Sequence, residues 1–166
     1  MTLNHELFIQ MSASGETIKL CDFGISRNPK AGTLTSQSTQ SIGGTTRWRA
    51  PETFGYPPNW TKEADVFSLS MTFYEIITKN IPFEDEHDDF RVESHLRNGI
   101  RPLFESTSSS PWWFDKMKIL IESGWQQEPY LRPSCKKLLK GINLILQEDE
   151  ARSPIPQSSC MSILFS

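Results

Sequence analysis

The residues whose types and spacing could do chemistry begin with an acid. In the stretch IKLCDFGISR, Asp22 follows an apolar run at the head of a sharp turn, Asp22-Phe23-Gly24. Taken alone such an acid is either a solvated turn residue or one that holds something, and the tripeptide does not choose between the two. A polar run follows, SRNPKAGTLTSQSTQSIGG at residues 26–44, with hydroxyls at Thr33, Thr35, Ser36, Ser38, Thr39 and Ser41 and no apolar period. Loops longer than about 12–15 residues without structure of their own are uncommon and usually functional or disordered, so the length of this one is informative. The other reactive groups are the thiols of Cys21, Cys135 and Cys160, which are scattered and never form a C-x-x-C pair. That pattern points to free thiols in a reducing compartment, with the cytosol the expected setting, rather than to a disulfide frame or a zinc site. The NWT triplet at Asn59 is a glycosylation acceptor only in a secreted protein, and Cys160 in CMSILFS lies too far from the end for prenylation.

The elements that must position these groups are bounded first by composition. With 166 residues, one compact domain is the default. The 17 Lys and Arg against 20 Asp and Glu give a net charge of -3, so no basic field favours nucleic acid or an anionic membrane surface. The N-terminal MTLNHELFIQ has no signal-peptide pattern, and no apolar run approaches the ~20 residues that cross a bilayer.

Ile18, Leu20 and Phe23 alternate with polar or small neighbours between turn signals, which predicts a short strand running into a tight turn. From Thr61 onward Val66, Phe67, Leu69, Met71, Phe73, Tyr74, Ile76 and Ile77 are apolar on nearly every side, the mark of a buried helix ending at residues 80–82. The acidic run EDEHDD opens an amphipathic helix over residues 90–98. A further helix over residues 112–124 carries Phe114, Met117, Leu120 and Ile121 on one face, and a last one starts at Ser134, an N-cap, with Leu138, Leu139, Ile142 and Leu146 at helical spacing. The Pro- and Ser-rich tail after Glu150 is expected to be disordered. The expected architecture is mainly α: a helical bundle with a short β segment and a long loop near its N-terminus, residues 1–150, and a tail, residues 151–166.

Four segments then fall in a telling order: DFG at Asp22; GTTRWRAPE at residues 44–52; KEADVFSLSMTFYEI at residues 62–76, followed by Pro82-Phe83; and GWQQEPYLRPS at residues 124–134. Together they resemble the C-terminal lobe (C-lobe) of the protein kinase family. Within it they are similar to the tyrosine-kinase-like serine/threonine group, whose GTxxWMAPE and CWxxdPxxRP patterns GTTRWRAPE and GWQQEPYLRP match in part. The resemblance covers residues 18–146.

That resemblance implies roles. Asp22 is similar to the acid that holds Mg²⁺ on the ATP phosphates, where a hard cation takes carboxylate oxygen and offsets charge on the transferred group. Gly24 would permit the backbone flip of that turn, and Phe23 would pack inward and set whether the acid faces the nucleotide. Residues 26–43 become the activation loop and its six hydroxyls candidate phosphosites, ordered on phosphorylation by a cation such as Arg27, Lys30 or Arg47. Thr45 is similar to the threonine that touches the catalytic acid and favours Ser/Thr substrates. Trp48 either lines the pocket for the residue after the phosphoacceptor or is a core tryptophan. Glu52 and Arg132 match a buried structural ion pair. Asp65 resembles an acid that accepts backbone hydrogen bonds from the catalytic loop, with an N-cap as the competing account. Trp125, near Trp112 and Trp113, reads as core.

The 166 residues contain no Gly-rich phosphate cover, no strand lysine and no HRDxxxxN. The catalytic asparagine and aspartate, about thirteen and about eighteen residues before the DFG acid, would fall near Ile9 and Asn4, and neither type matches. No catalytic residue is therefore retained. The implied cofactors, ATP and Mg²⁺, are not expected to bind tightly to this chain alone, and the chain is expected to be inactive by itself. The expected partners are a protein substrate or docking protein. The alternative is a non-catalytic, pseudokinase-like scaffold.

Overall fold

The computed structural model describes residues 7–12, 15–20, 46–105 and 110–152. Two strands come first, β1 (Leu7–Ser12) and β2 (Gly15–Leu20), paired antiparallel from Leu7↔Leu20 to Ser12↔Gly15. β2 contains the strand expected at Ile18 and Leu20. β1 was not foreseen, although Leu7, Ile9 and Met11 alternate through it in the period-2 pattern of a strand.

Among the described residues four α-helices form the body: α1 (Lys62–Thr78), α2 (Asp89–Arg97), α3 (Phe114–Gly124) and α4 (Cys135–Arg152). No helix among the described residues is long and apolar enough to cross a membrane. The core gathers Trp48, Ala50, Ala64, Phe67, Met71, Tyr74, Val92, Leu96, Ile121 and Trp125, so α1 is its axis. α1 starts at Thr61, an extended residue whose hydroxyl accepts from the Ala64 N–H at 3.2 Å. This corrects the N-cap account of Asp65, which lies within the first turn of the helix and not at its cap. Buried on most sides, α1 also hides hydroxyls, and it satisfies them internally: Ser68, Ser70, Thr72 and Thr78 donate to the carbonyls of Ala64, Val66, Ser68 and Tyr74, each one turn back. It stops where Lys79 adopts a left-handed φ of 61° and donates to the Glu75 carbonyl at 2.8 Å.

α2 begins at Asp88, whose carboxylate accepts from the Phe90 N–H at 2.9 Å, and buries Val92 and Leu96 completely. Of the acidic run, Asp88 as the cap and Asp89 in the first turn stand at the helix start, where negative charge suits its dipole. α3 crosses α1 so closely at Gly124 that a Cβ there would stand 1.9 Å from the Ser70 Oγ. Only glycine permits that approach. α4 starts after Ser134, whose hydroxyl accepts from the Lys137 N–H at 3.3 Å, as expected. Its buried stripe differs from the expected one. Leu138 and Ile145 face inward, whereas Leu139 is 58% exposed and Ile142 and Leu146 are half-buried. The reason is Gly141, which sets its backbone against Leu120 of α3 and turns the 138/141/145 face toward the body. α4 also runs two residues past Glu150, where the tail was expected to start: Trp112 donates to Asp149 at 3.0 Å, and the Arg152 guanidinium lies 4.5 Å over the Trp112 ring. Residues 153–166 lie outside the described residues.

Candidate functional site

Asp22, Phe23, Gly24, the six loop hydroxyls and Thr45 lie outside the described residues, and so do Arg27 and Lys30. What the structure describes is the ground they would stand on: a 3-10 turn at Thr46–Trp48 against α1 and α2, and a second at Pro51–Phe54 against α2.

Glu52 and Arg132 meet across 80 residues of chain in a bidentate pair, Nη1 to Oε1 at 2.6 Å and Nη2 to Oε2 at 2.9 Å. The Arg132 side chain is 0% exposed and that of Glu52 14%. The remaining guanidinium donors go to carbonyls of Gln126 (2.8 Å), Glu63 (2.9 Å) and Gln127 (3.1 Å). All five N–H groups are thereby spent, the condition under which a buried guanidinium is tolerable. A second arginine, Arg101, was not singled out in the sequence. It donates to the carbonyls of Trp125 (2.9 Å), Leu96 (3.3 Å) and Ile100 (3.0 Å) and to the Gln127 side chain (2.7 Å). Burial and the neighbouring Arg132 hold its guanidinium down to about 10, still charged at neutral pH. Both guanidinium carbons lie over the Phe67 ring, at 4.9 Å for Arg101 and 5.0 Å for Arg132.

Trp48 is buried in the core, and its ring N–H donates to Glu75 Oε2 at 3.0 Å. Burial pushes the Glu75 carboxyl up, and the Trp48 bond opposes that rise in part. A carboxyl whose pKa is raised on folding contributes stability that is present below its unfolded value and lost as the pH climbs through the raised one. Glu75→Gln keeps an acceptor for Trp48 and mimics the protonated form. The variant is therefore expected to melt above the wild type at pH 7.5, with the difference shrinking toward zero as the pH falls below 4.5. A difference that grows on acidification would contradict this account.

Arg47 was a candidate partner for a loop phosphate. Its guanidinium is instead committed to three carbonyls of the α1–α2 connection: Pro82 at 3.0 Å, Phe83 and Glu86. Phe83 holds a left-handed φ of 56° there, a conformation that persists only where surrounding contacts fix it. The segment after residues 26–45 is thus pinned three times, by Arg47 to the α1–α2 connection, by Trp48 to α1, and by Glu52 to Arg132. Asp65 sits half-buried in the first turn of α1, and burial pushes its carboxyl up. Trp125 is buried beside Phe104 and Tyr74, with ring centres 5.5 and 5.9 Å away. Among the described residues no group of three or more His, Cys, Asp or Glu side chains could hold a metal ion.

A profile described as protein kinase domain matches residues 5–142. The chain is 29% identical over 134 residues to "Serine/threonine-protein kinase STY17" of Arabidopsis thaliana, covering 80% of this chain and 22% of that protein. It is 32% identical over 139 residues to "Light-sensor Protein kinase" of Ceratodon purpureus, covering 73% and 10%. Over 129 residues it is 30% identical to "Mitogen-activated protein kinase kinase kinase 7" of Bos taurus, covering 77% and 20%. The chain thus spans between a tenth and about a fifth of the length of these relatives.

Proposed function

Since this chain belongs to the protein kinase family and has the family's helical C-lobe architecture, we propose that it supplies the substrate-facing half of a domain that transfers phosphate from ATP to protein Ser or Thr. The observation that carries this reading is the saturated Glu52–Arg132 pair, which anchors the far end of a long hydroxyl-rich segment to a rigid helical body. Loops that act on substrates need such fixed ends.

In this reading residues 26–43 are the activation loop, with phosphorylation at one of Thr33, Thr35, Ser36, Ser38, Thr39 or Ser41. Arg47 being spent, the phosphate is read by other cations, Arg27 or Lys30 among them. Thr45 contacts the general base, and Trp48 shapes the floor beneath the residue that follows the phosphoacceptor. Asp22 is of the right type for Mg²⁺, a carboxylate for a hard ion, and the ion would neutralise charge on the phosphoryl group. Phe23 and Gly24 aim that carboxylate, and Asp65 ties the catalytic loop to α1. ATP, Mg²⁺ and a protein substrate are thus the partners, in a cytoplasmic setting, and residues 1–150 form one partial kinase domain. The general base, the strand lysine and the phosphate cover are not among these residues, so the isolated chain does not catalyse transfer.

The test is a chimera in which residues 18–152 replace the matching segment of the STY17-like relative. Phosphorylation of a generic protein on Ser and Thr, lost in Asp22→Asn, is the expected result. A folded chimera that binds Mg-ATP through the donor lobe yet transfers nothing would overturn the reading.

A further inference from the structure

Beside Trp48 stands a pair of cations with too little negative charge between them. Arg49 lies with its guanidinium carbon 4.4 Å over the Phe54 ring and 5.6 Å from that of Trp60. Arg97, the last residue of α2, lies 5.7 Å over the same Phe54 ring. Their bonds within the described residues are few. Arg49 Nη2 donates to the Thr53 carbonyl at 2.8 Å, Arg97 Nε to Glu93 Oε1 at 2.8 Å, and Arg97 Nη2 to the Phe54 carbonyl at 2.5 Å. The Nε–H of Arg49 is shielded from solvent and has no partner among the described residues. Burial holds the Arg49 guanidinium below its ordinary value, with the Glu93 carboxylate opposing that fall and the Arg97 charge adding to it.

Among the described residues, two guanidinium groups beside one acid, Glu93, leave a net positive charge. Each carries five fixed donors, and the bonds above use one of them on Arg49 and two on Arg97. The contrast with Arg132 is direct, because there every donor is met. Aromatic faces hold the planar groups in orientation, and Arg97 keeps 45% of its side chain exposed. A guanidinium with unspent donors matches the geometry of a carboxylate or phosphate oxyanion. We propose that Arg49 and Arg97 form a recognition site for an acidic side chain, carboxylate or phosphorylated, in the protein segment bound beside Trp48. The inference rests on the kinase reading for that segment's identity as substrate, since Arg49 directly follows the residues placed next to the phosphoacceptor.

The site and the activity are tested separately. Labelled peptides with a single phosphoacceptor are scanned at each flanking position with Glu, phosphoserine, Ala and Lys, and binding to the full 166-residue chain is read by fluorescence anisotropy. At one position Glu or phosphoserine is expected to bind about tenfold more tightly than Ala, since one charge-assisted pair amounts to about 1.5 kcal/mol, and the advantage should fade at high salt. The Glu and phosphoserine arms tell a carboxylate site from a phosphate site. Arg49→Leu, which keeps apolar bulk against Phe54 and Trp60, and the more exposed Arg97→Gln should each reduce the preference to less than about threefold. Equal binding of all peptides to the wild type, or a preference that survives both variants, would overturn the proposal. The same peptides assayed as substrates of the chimera should show the preference in KM. A chimera that transfers to none of them, while the chain still prefers acid, would remove the kinase reading and leave the site standing.

Discussion

Glu52→Ala is expected to cost about 3–5 kcal/mol of folding stability, the range for stripping one partner from a buried ion pair. The magnitude follows from what remains. Arg132 has no exposed side-chain surface, so its charge cannot turn to water when the carboxylate is gone, and two of its five donors lose their acceptor at once. The three carbonyls that stay can hold the group in place without neutralising it. Arg132→Met should cost less than Glu52→Ala, because Glu52 at 14% exposure can partly rehydrate and the methionine stem can still lie against Phe67. The double variant Glu52→Leu/Arg132→Met should recover much of the loss, since an apolar pair of similar volume carries no desolvation penalty. Urea melts of the three variants decide the matter. Losses within 1 kcal/mol of the wild type for both single variants would mean that the pair is solvated in a way its geometry does not suggest.

The second large effect concerns chemistry. Purified 166-residue chain incubated with Mg-ATP and a generic protein substrate is expected to show no turnover. Lack of a positioned general base alone forfeits a factor of about 10²–10⁴. Lack of the lysine and of the asparagine-held metal adds to that the loss of substrate alignment, which in well-oriented reactions supplies about 7–11 kcal/mol of the barrier. Together these are expected to bring transfer to the level of the uncatalysed reaction. A turnover that disappears in Asp22→Asn would show that these residues assemble a sufficient site by themselves.

Much of this arrangement could be read from the residue string because its signals are local. The apolar run around Phe67 and Met71 announced α1, and the acidic run announced the start of α2, through period and charge that depend on neighbours a few positions away. The Glu52–Arg132 partnership was legible only through family motifs, since nothing local to either residue points across 80 positions. The same limit explains the misses. Arg101 and Arg49 look like ordinary surface cations in the sequence, and only the tertiary approach of Phe67 and Phe54 gives them their surroundings. Arg47 carried a charge suited to phosphate, but charge says nothing of three carbonyls gathered 35 to 39 positions downstream. Leu139 failed because a helix's apolar stripe can be offset by one small residue, Gly141, that decides which side lies closest to its neighbour.

The same 80-residue span between Glu52 and Arg132 also sets a timetable. A ribosome adding ~5–20 residues per second completes Arg132 about 4–16 s after Glu52. During that interval the nascent segment ahead of α1 has the Arg47 and Trp48 attachments within reach but not the Arg132 one, so a chaperone that shelters the growing polypeptide would have its most important work before the last helix is made.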